Sequence, residues 1–256
     1  MFTPNNDLEI SLVKASTDPS HRPQFLRDLL ASKIFLISPD DTVMDIRDGV
    51  LQQGATIAIQ PWQHEGKDWL PIFSSLPLLQ QNLKTESAYF QLNAKDFFEL
   101  TRGAHVILNP NCDYGKEFLP AEISGLLDGS IYEPRQTTTI KKDTRVLLGQ
   151  PKEYPTELVK ALSNLFANHR NVRAAYLAHY FNPESGDPPH LLIGIDAEGE
   201  SQAVLGEAGM VASDVLPPGE LVDFIRITPN EAGVSQYLLR ETKAFYQRSL
   251  WRSLFR

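Results

Sequence analysis

The sequence has a single cysteine, Cys112, in 256 residues. One cysteine cannot form a disulfide within the chain, which excludes the disulfide frameworks of small secreted domains. The first residues, MFTPNNDLEISLVKAS, lack the basic and apolar regions of a signal peptide. No apolar run approaches the roughly 20 residues that cross a bilayer. We therefore expect a cytoplasmic protein with no transmembrane segment.

Basic residues are scarce relative to acidic ones. The chain has 24 lysines and arginines against 32 aspartates and glutamates, which gives a formal net charge of -8. Proteins that bind nucleic acid usually present a basic surface that displaces counterions from the phosphates. We therefore expect no nucleic-acid partner, although a local basic patch is compatible with this balance. The hydrophobic fraction of 42% and the charged fraction of 22% are typical of a globular protein.

The sequence contains no linear motif for catalysis or for a metal or cofactor site. There is no HExxH, paired-cysteine or GxGxxG pattern and no Ser-His-Asp signature. His179 and His190 fall on neighbouring predicted strands and could meet across the hairpin, but two imidazoles would leave a zinc ion short of ligands. We therefore expect no cofactor and no metal, and we assign no catalytic residue. Catalysis itself stays open, because active sites assemble in space.

Cys112 is the candidate nucleophile that the local pattern suggests. It lies on the turn between the predicted strand VILNPN and a helix that opens at Pro120, and a helix N-terminus can lower the pKa of a thiol. A thiolate also needs a base within hydrogen-bond reach, and His105 lies at the far end of the preceding strand. The same turn contains Gly115 and Lys116, but a phosphate loop needs several glycines. We therefore interpret the turn as a strand-to-helix corner and Cys112 as incidental.

The length of the chain favours two domains, at roughly 100–200 residues per domain. In the first half, predicted helices alternate with strands and a hairpin around Gly66 interrupts them, which indicates a mixed α/β sheet. Polar and threonine-rich residues at 128–145 separate the halves. This stretch is either a linker or, since threonine is β-branched, an edge strand. We place an N-terminal domain at residues 1–136 and a C-terminal domain at residues 141–256.

The second half of the sequence predicts the element order β-α-β-β-α-β. Its strands are TRVLLGQ, NVRAAYLAHYF, HLLIGID and LVDFIRI, and two helical patterns lie between them. Gly206 and Gly209 in the second helix would allow its close approach to the sheet. This order is that of ferredoxin-like domains. We therefore predict an α+β protein with a mixed α/β N-terminal domain and a ferredoxin-like C-terminal domain that carries an added C-terminal helix.

The added helix is expected to begin at Thr228 and Pro229, which supply a cap and a first-turn proline. If it continues to the end of the chain, its arginines fall on one i, i+4 ladder, namely Arg240, Arg248, Arg252 and Arg256. The candidate binding residues of this tail are Arg248, Trp251, Arg252 and Phe255. Three roles stay open: packing on the protein's own sheet, contact with a partner protein or a second copy, and contact with an anionic membrane surface.

Five parts of the sequence resemble one bacterial family. They are WLPIFSS (69–75), VILNPN (106–111) with EISGLL (122–127), LLGQPKEYPTELVKAL (147–162), AAYLAHYFNPESGDPPHLLIGID (174–196) and FYQR (245–248). In this order they resemble the SseB family, the enhanced serine sensitivity proteins. The resemblance implies an N-terminal SseB domain followed by a distinct C-terminal SseB domain over nearly the whole chain. It transfers no catalytic residue, because the family is named for a phenotype.

Two classes of function follow as expectations. The preferred one is a non-enzymatic regulatory or adaptor protein, linked to serine sensitivity, that binds a protein partner or a second copy of itself. The alternative is an unrecognised enzyme or a small amino-acid sensor of amino-acid metabolism. The β-α-β-β-α-β order is shared with amino-acid-binding ACT domains, and those domains place their ligand at the turn that corresponds to Gly149, Gln150 and Pro151. Fold-level analogy of this kind is weak support for a function.

Overall fold

The computed structural model describes residues 2–38, 46–47, 50–51, 59–64, 66–83, 85–133, 145–230 and 233–249. The chain divides into two compact units, Met1–Ile131 and Tyr132–Arg256, and each contains helices and strands. The protein is therefore α+β, as predicted. The predicted domain boundary, at residues 137–140, lies outside the described residues. Within the described ranges, no helix is long and apolar enough to cross a bilayer.

Side-chain caps mark the starts of two helices and of one 3-10 turn in the N-terminal unit. The helices are α1 (Asp7–Thr17), α2 (Arg22–Ala31), α3 (Leu76–Asn82), α4 (Ala94–Leu100) and α5 (Pro120–Asp128). Asn93 caps α4, because its side chain accepts the backbone N–H of Lys95 at 2.9 Å. Asp18 caps a turn of 3-10 helix at Pro19–His21, and α2 follows it. The sequence pattern did not predict α1, which is capped by Asn6.

The strands of the N-terminal unit form a four-stranded sheet and two separate pairs. They are β1 (Lys33–Ile37), β2 (Ile46–Arg47), β3 (Val50–Leu51), β4 (Trp62–His64), β5 (Lys67–Ile72), β6 (Tyr89–Asn93), β7 (His105–Leu108) and β8 (Lys116–Phe118). The larger sheet has the order β4-β5-β7-β8, with β5 and β7 parallel and the other neighbours antiparallel. β1 pairs with β6, and β2 pairs with β3. The predicted hairpin is β4–β5, and Gly66 lies in its turn at a φ of 74°.

A buried polar network joins α1 to the carboxyl ends of β5 and β7. The Glu9 carboxylate is fully buried. It accepts hydrogen bonds from the Ser74 hydroxyl at 2.9 Å and from the Asn5 backbone N–H at 2.6 Å. The Asn109 side chain accepts the Ser74 backbone N–H at 2.8 Å. Because a buried carboxylate is tolerated only when its oxygens are paired in this way, the network fastens the helix to both strand ends.

The C-terminal unit is built on a five-stranded sheet. Its elements are β9 (Leu147–Gly149), α6 (Thr156–Ala167), β10 (Val172–Phe181), β11 (His190–Ala197), α7 (Gln202–Val215), β12 (Val222–Arg226), α8 (Val234–Glu241) and β13 (Ala244–Gln247). The strand order is β12-β11-β10-β13, and β9 also pairs with β10. β11 and β12 are parallel, and the other neighbours are antiparallel.

The predicted β-α-β-β-α-β order is present from β9 to β12, but the strand pairing differs from that of a ferredoxin-like sheet. In a ferredoxin-like sheet the two strands of each β-α-β unit are parallel and another strand lies between them. Here β9 runs antiparallel to β10, and β11 lies directly beside β12. The short β9 occupies one end of the β10 edge and β13 occupies the other. Element order alone does not determine which edge a short strand joins.

The predicted C-terminal helix is wrong in its extent. After α8 the chain returns as β13, so Arg240 and Arg248 do not share a helix face. β13 pairs with β10. Its aromatic residues Phe245 and Tyr246 pack against Phe166, with ring centroids 6.3 Å and 5.7 Å away. Pairing and burial against distant residues therefore outweigh the local helical pattern.

Helices cover both faces of the C-terminal sheet. α6 and α7 pack on one face through buried residues such as Leu162 and Val211. α8 packs on the other face, where Leu238 and Ile227 belong to one buried cluster. Gly194 on β11 makes this packing possible, because a Cβ atom there would lie 2.5 Å from Leu238 Cδ1 and 2.7 Å from Ile227 Cδ1. α8 therefore depends on the missing side chain at this position.

Gly206 on α7 permits a different close approach from the predicted one. A Cβ atom at Gly206 would lie 1.5 Å from the backbone oxygen of Tyr132, so the helix packs at this point on the chain at Tyr132 and not on the sheet. A Cβ atom at Gly209 would have nothing within 4 Å. The packing of α7 at Tyr132 therefore requires glycine at position 206 but not at position 209.

We expect Gly206→Ala to lower the free energy of unfolding by about 3 kcal/mol, the upper end of the usual cost of overpacking, because the obstructing atom belongs to the backbone. Gly209→Ala on the same helix is the matched control and should raise stability by up to about 1 kcal/mol through helix propensity. Urea unfolding followed by circular dichroism measures both variants. Equal stability of the two would contradict the close contact at Tyr132.

Candidate functional site

A groove on the sheet of the C-terminal unit is the candidate site, with a volume of about 420 Å³. We call it the arginine groove, and its lining residues are Arg173, Ala174, Tyr176, Asp196, Gln247 and Arg248. Ala174 on β10 pairs with Asp196 on β11 and with Gln247 on β13. The groove therefore crosses three neighbouring strands on one face of the sheet.

Arg173 is held in the groove by a carboxylate of the next strand. Its Nη2 and Nε atoms donate to Asp196 Oδ1 at 2.6 Å and 3.2 Å. This hydrogen bond, together with the negative charge of Asp196, raises the pKa of Arg173, so the guanidinium is permanently charged. The Arg173 side chain is 45% exposed and that of Asp196 is 17% exposed. The ion pair thus holds the Arg173 guanidinium in position while leaving the side chain accessible to solvent.

Arg248 enters the groove directly after β13. Its backbone N–H donates to the backbone oxygen of Arg173 at 2.8 Å, and its guanidinium donates to the backbone oxygen of Arg170. Its Nη2 atom lies 4.0 Å from Glu198 Oε1, and the same oxygen lies 3.7 Å from Arg173 Nη1. One exposed carboxylate therefore lies between the two arginines of the groove.

Tyr176 adds a neutral hydrogen-bonding group to this charged surface. Burial raises the pKa of its phenol, the negative charge of Asp196 raises the pKa further, and the positive charge of Arg173 opposes both. The phenol therefore stays protonated at neutral pH and can donate a hydrogen bond to a ligand. Two arginines, a tyrosine and an amide side chain are groups that recognise polar partners, and they include no nucleophile next to a base.

The structure separates the binding residues that the sequence predicted. Arg248 lines the groove. Gly149 pairs with His179 at the other end of β10, about 17 Å along the strand from Ala174 at about 3.3 Å per residue. Gln150 and Pro151 follow Gly149 in the chain. Outside the described residues lie the other predicted positions, Trp251, Arg252 and Phe255, as well as Arg256.

Sequence reasoning missed Arg173, Tyr176 and Asp196 as site residues. The available signal was a charged residue in each of two otherwise apolar strands, NVRAAYLAHYF and HLLIGID. That signal does not reveal that the two charges meet. Their meeting depends on the register in which Ala174 pairs with Asp196, and register is a property of the assembled sheet.

His179 and His190 do not meet across the hairpin. His179 pairs with Leu191 and His190 pairs with Tyr180, so the two imidazoles project from opposite faces of the sheet. His190 instead lies with its Nε2 atom 3.0 Å from Asp223 Oδ2. Among the residues that the structure describes, no group of three or more histidine, cysteine, aspartate and glutamate side chains is placed to hold a metal ion.

Cys112 lies in an environment that suppresses its reactivity. Burial is the main cause that raises the pKa of its thiol, and the negative charge of Asp113 acts in the same direction. A hydrogen bond from the Asn82 amide, at 3.6 Å, opposes them in part. His105 packs on Trp69 at the start of β7, with ring centroids 4.9 Å apart. The thiol is therefore protonated at neutral pH, as expected of an incidental cysteine.

We expect Cys112 in the folded protein to react with a disulfide reagent at pH 7 roughly tenfold more slowly than in the urea-unfolded chain, because the raised pKa lowers the thiolate fraction. The rate should rise as the pH increases beyond the ordinary thiol pKa of about 8.5. Cys112→Ser is the control for the signal and should fold with a stability within about 1 kcal/mol of the parent. A fast reaction of the folded protein at pH 7 would contradict this assignment.

Comparison with known proteins identifies both halves of the chain. Residues 8–125 match the SseB protein N-terminal domain, and residues 140–248 match the SseB protein C-terminal domain. The chain is 33% identical over 250 residues to Protein SseB of Escherichia coli (strain K12) and, with the same identity, to Protein SseB of Shigella flexneri. Each alignment covers 97% of this chain and 94% of the relative. No solved structure matches. The two domain matches and the near full-length relatives show that the chain belongs to the SseB family.

Proposed function

We propose that the protein is a non-enzymatic regulatory or adaptor protein of the cytoplasm that acts through protein–protein contacts, with the arginine groove as its contact surface. The observation that carries the proposal is the accessible pair Arg173 and Arg248, positioned by neighbouring strands around one exposed carboxylate. The family resemblance links this role to serine sensitivity.

The residue types of the groove support a binding role. Arginine and tyrosine are enriched among the residues that contribute most to protein interfaces. Here Arg173 and Tyr176 lie on β10 and Arg248 directly follows β13, so paired strands set their positions. A surface built on strands loses little conformational entropy when a partner binds. The groove therefore combines the chemistry and the rigidity of a recognition surface.

The side chains of the groove do not favour catalysis. Asp196 is the carboxylate that lines it, and this group is committed to Arg173 through two hydrogen bonds. Tyr176 has a raised pKa, so its phenol is a poor base at neutral pH. A general base needs a lone pair that is available near neutral pH. Contact with a partner therefore accounts for these groups better than proton transfer does.

Affinity purification of the tagged full chain from its host, with quantification of the co-purifying proteins, tests the proposal. We expect the double variant Arg173→Ala with Arg248→Ala to lower the captured amount of at least one stable partner about tenfold or more. Truncation of an interface arginine can cost about 2 kcal/mol or more of binding free energy. Lys160→Ala with Arg240→Ala is the matched control, since it removes two exposed positive charges from the same unit. Circular dichroism confirms that each variant is folded.

The same experiment tests the predicted tail. Trp251→Ala with Phe255→Ala should reduce capture of the partner if these residues extend the contact surface, and should leave it unchanged if the groove acts alone. Partner capture that is insensitive to the groove double variant would contradict the proposal. Loss of capture in the Lys160 and Arg240 control would show that charge in general, and not the groove, is responsible.

Serine binding at Gly149, Gln150 and Pro151 is the alternative that the fold analogy suggested. The observed pairing of β9 with β10 differs from the ferredoxin-like pairing on which that analogy rests. We therefore expect no heat when serine is titrated into the full chain to millimolar concentration, and no rise in the thermal midpoint. A ligand-dependent rise of that midpoint would favour the sensor, because ligand that binds the folded state stabilises it.

A further inference from the structure

We propose that the arginine groove recognises carboxylate groups on an extended, acidic segment of a partner protein. This inference rests on the function proposed above and names the chemistry of the partner. The feature that points to a carboxylate is Glu198, whose Oε1 atom faces Arg173 Nη1 at 3.7 Å and Arg248 Nη2 at 4.0 Å. Two guanidinium groups thus approach a single carboxylate oxygen.

Glu198 is held weakly enough to be displaced. Charge-assisted hydrogen bonds between nitrogen and oxygen are about 2.7–2.9 Å long, and both contacts of Glu198 exceed that length. Its side chain is 57% exposed, and exposed ion pairs of this kind contribute little stability. A carboxylate from a partner can therefore take the position of Glu198 at small cost to the fold.

The two arginines are already positioned for such an exchange. Arg173 keeps its hydrogen bonds to Asp196 when Glu198 leaves, since those bonds use other guanidinium nitrogens. Arg248 keeps its bonds to the backbone oxygens of Arg170 and Arg173. Because both side chains stay anchored, binding does not need to order them, which favours affinity. The planar guanidinium group also matches the geometry of a carboxylate.

An extended segment suits the location of the groove. β13 ends the strand order on this side of the sheet, and within the described part of the chain no strand pairs with its outer edge. An extended peptide can add to such an edge through backbone hydrogen bonds. Its side chains would then project alternately to the two faces of the sheet. Alternate acidic residues would face the groove beside Gln247 and Arg248.

Charge complementarity determines which segment is favoured. The chain has a net charge of -8, so the protein as a whole repels an acidic partner. The groove instead brings the guanidinium groups of Arg173 and Arg248 together around Glu198, and displacement of Glu198 leaves Asp196 as the carboxylate paired with Arg173. An acidic segment is therefore attracted to this place in preference to the rest of the surface, which gives specificity of position.

The test measures binding of a fluorescein-labelled peptide that alternates threonine and glutamate, with a threonine–glutamine peptide as its neutral match. Fluorescence anisotropy follows binding to the full chain. We expect the glutamate peptide to bind at least about tenfold more tightly than the glutamine peptide, with the difference shrinking at high salt. Glu198→Gln should strengthen binding about threefold or more, because it removes the competing carboxylate. Arg248→Ala should weaken binding about tenfold.

Lys160→Ala is the matched control and should bind both peptides as the parent does. Equal binding of the two peptides, binding of neither, or no gain in Glu198→Gln would overturn the inference. The outcome for the proposed function is read separately. If partner capture depends on Arg173 and Arg248 while the two peptides bind equally, the groove is a contact surface that does not select carboxylates. If the affinities for the two peptides differ as expected but partner capture is unchanged in the Arg173 and Arg248 double variant, the adaptor role is contradicted and recognition of carboxylates is supported.

Discussion

The packing of α8 against Gly194 is the contact on which the C-terminal unit depends. Because position 194 has no side chain, Leu238 of α8 and Ile227 meet over the centre of the sheet without obstruction. α6 and α7 fill the opposite face. The arginine groove lies on the same sheet, where Ala174 and Asp196 are among its lining residues.

In the N-terminal unit a buried polar network fastens α1 to the ends of β5 and β7. Glu9 is held by Ser74 and by the backbone of Asn5, and Asn109 completes the network in the left-handed conformation at a φ of 50°. Asparagine adopts that conformation more readily than most residues. The turn that follows β7 therefore has a structural role. Cys112 lies on this turn, and its partial burial explains why the residue that looked most reactive in the sequence carries a protonated thiol.

The arginine groove shows how an acidic protein can present a site for an acidic partner. Its positive charges are paired within the chain, so the free protein does not expose an uncompensated basic patch. One of these pairs, between Arg173 and Asp196, is short and partly buried, whereas the contacts of Glu198 are long and exposed. The pair with Asp196 is suited to positioning Arg173, and the contacts of Glu198 are suited to exchange with a carboxylate of a partner. Electrostatic pairs of this kind contribute more to specificity than to stability.

Local patterns in the sequence were sufficient for the α+β class, the two-part organisation, the β-α-β-β-α-β order and the family, because periodicity, turn residues and family motifs are properties of neighbouring residues. They also pointed to Arg248. The tertiary structure alone decided that β9 and β13 share one edge of β10, that α8 stops before β13, and that Arg173 meets Asp196. These features depend on register between strands far apart in the chain. A strand pairs where the whole sheet buries the most apolar surface and satisfies its backbone hydrogen bonds, and no short stretch of sequence contains that information.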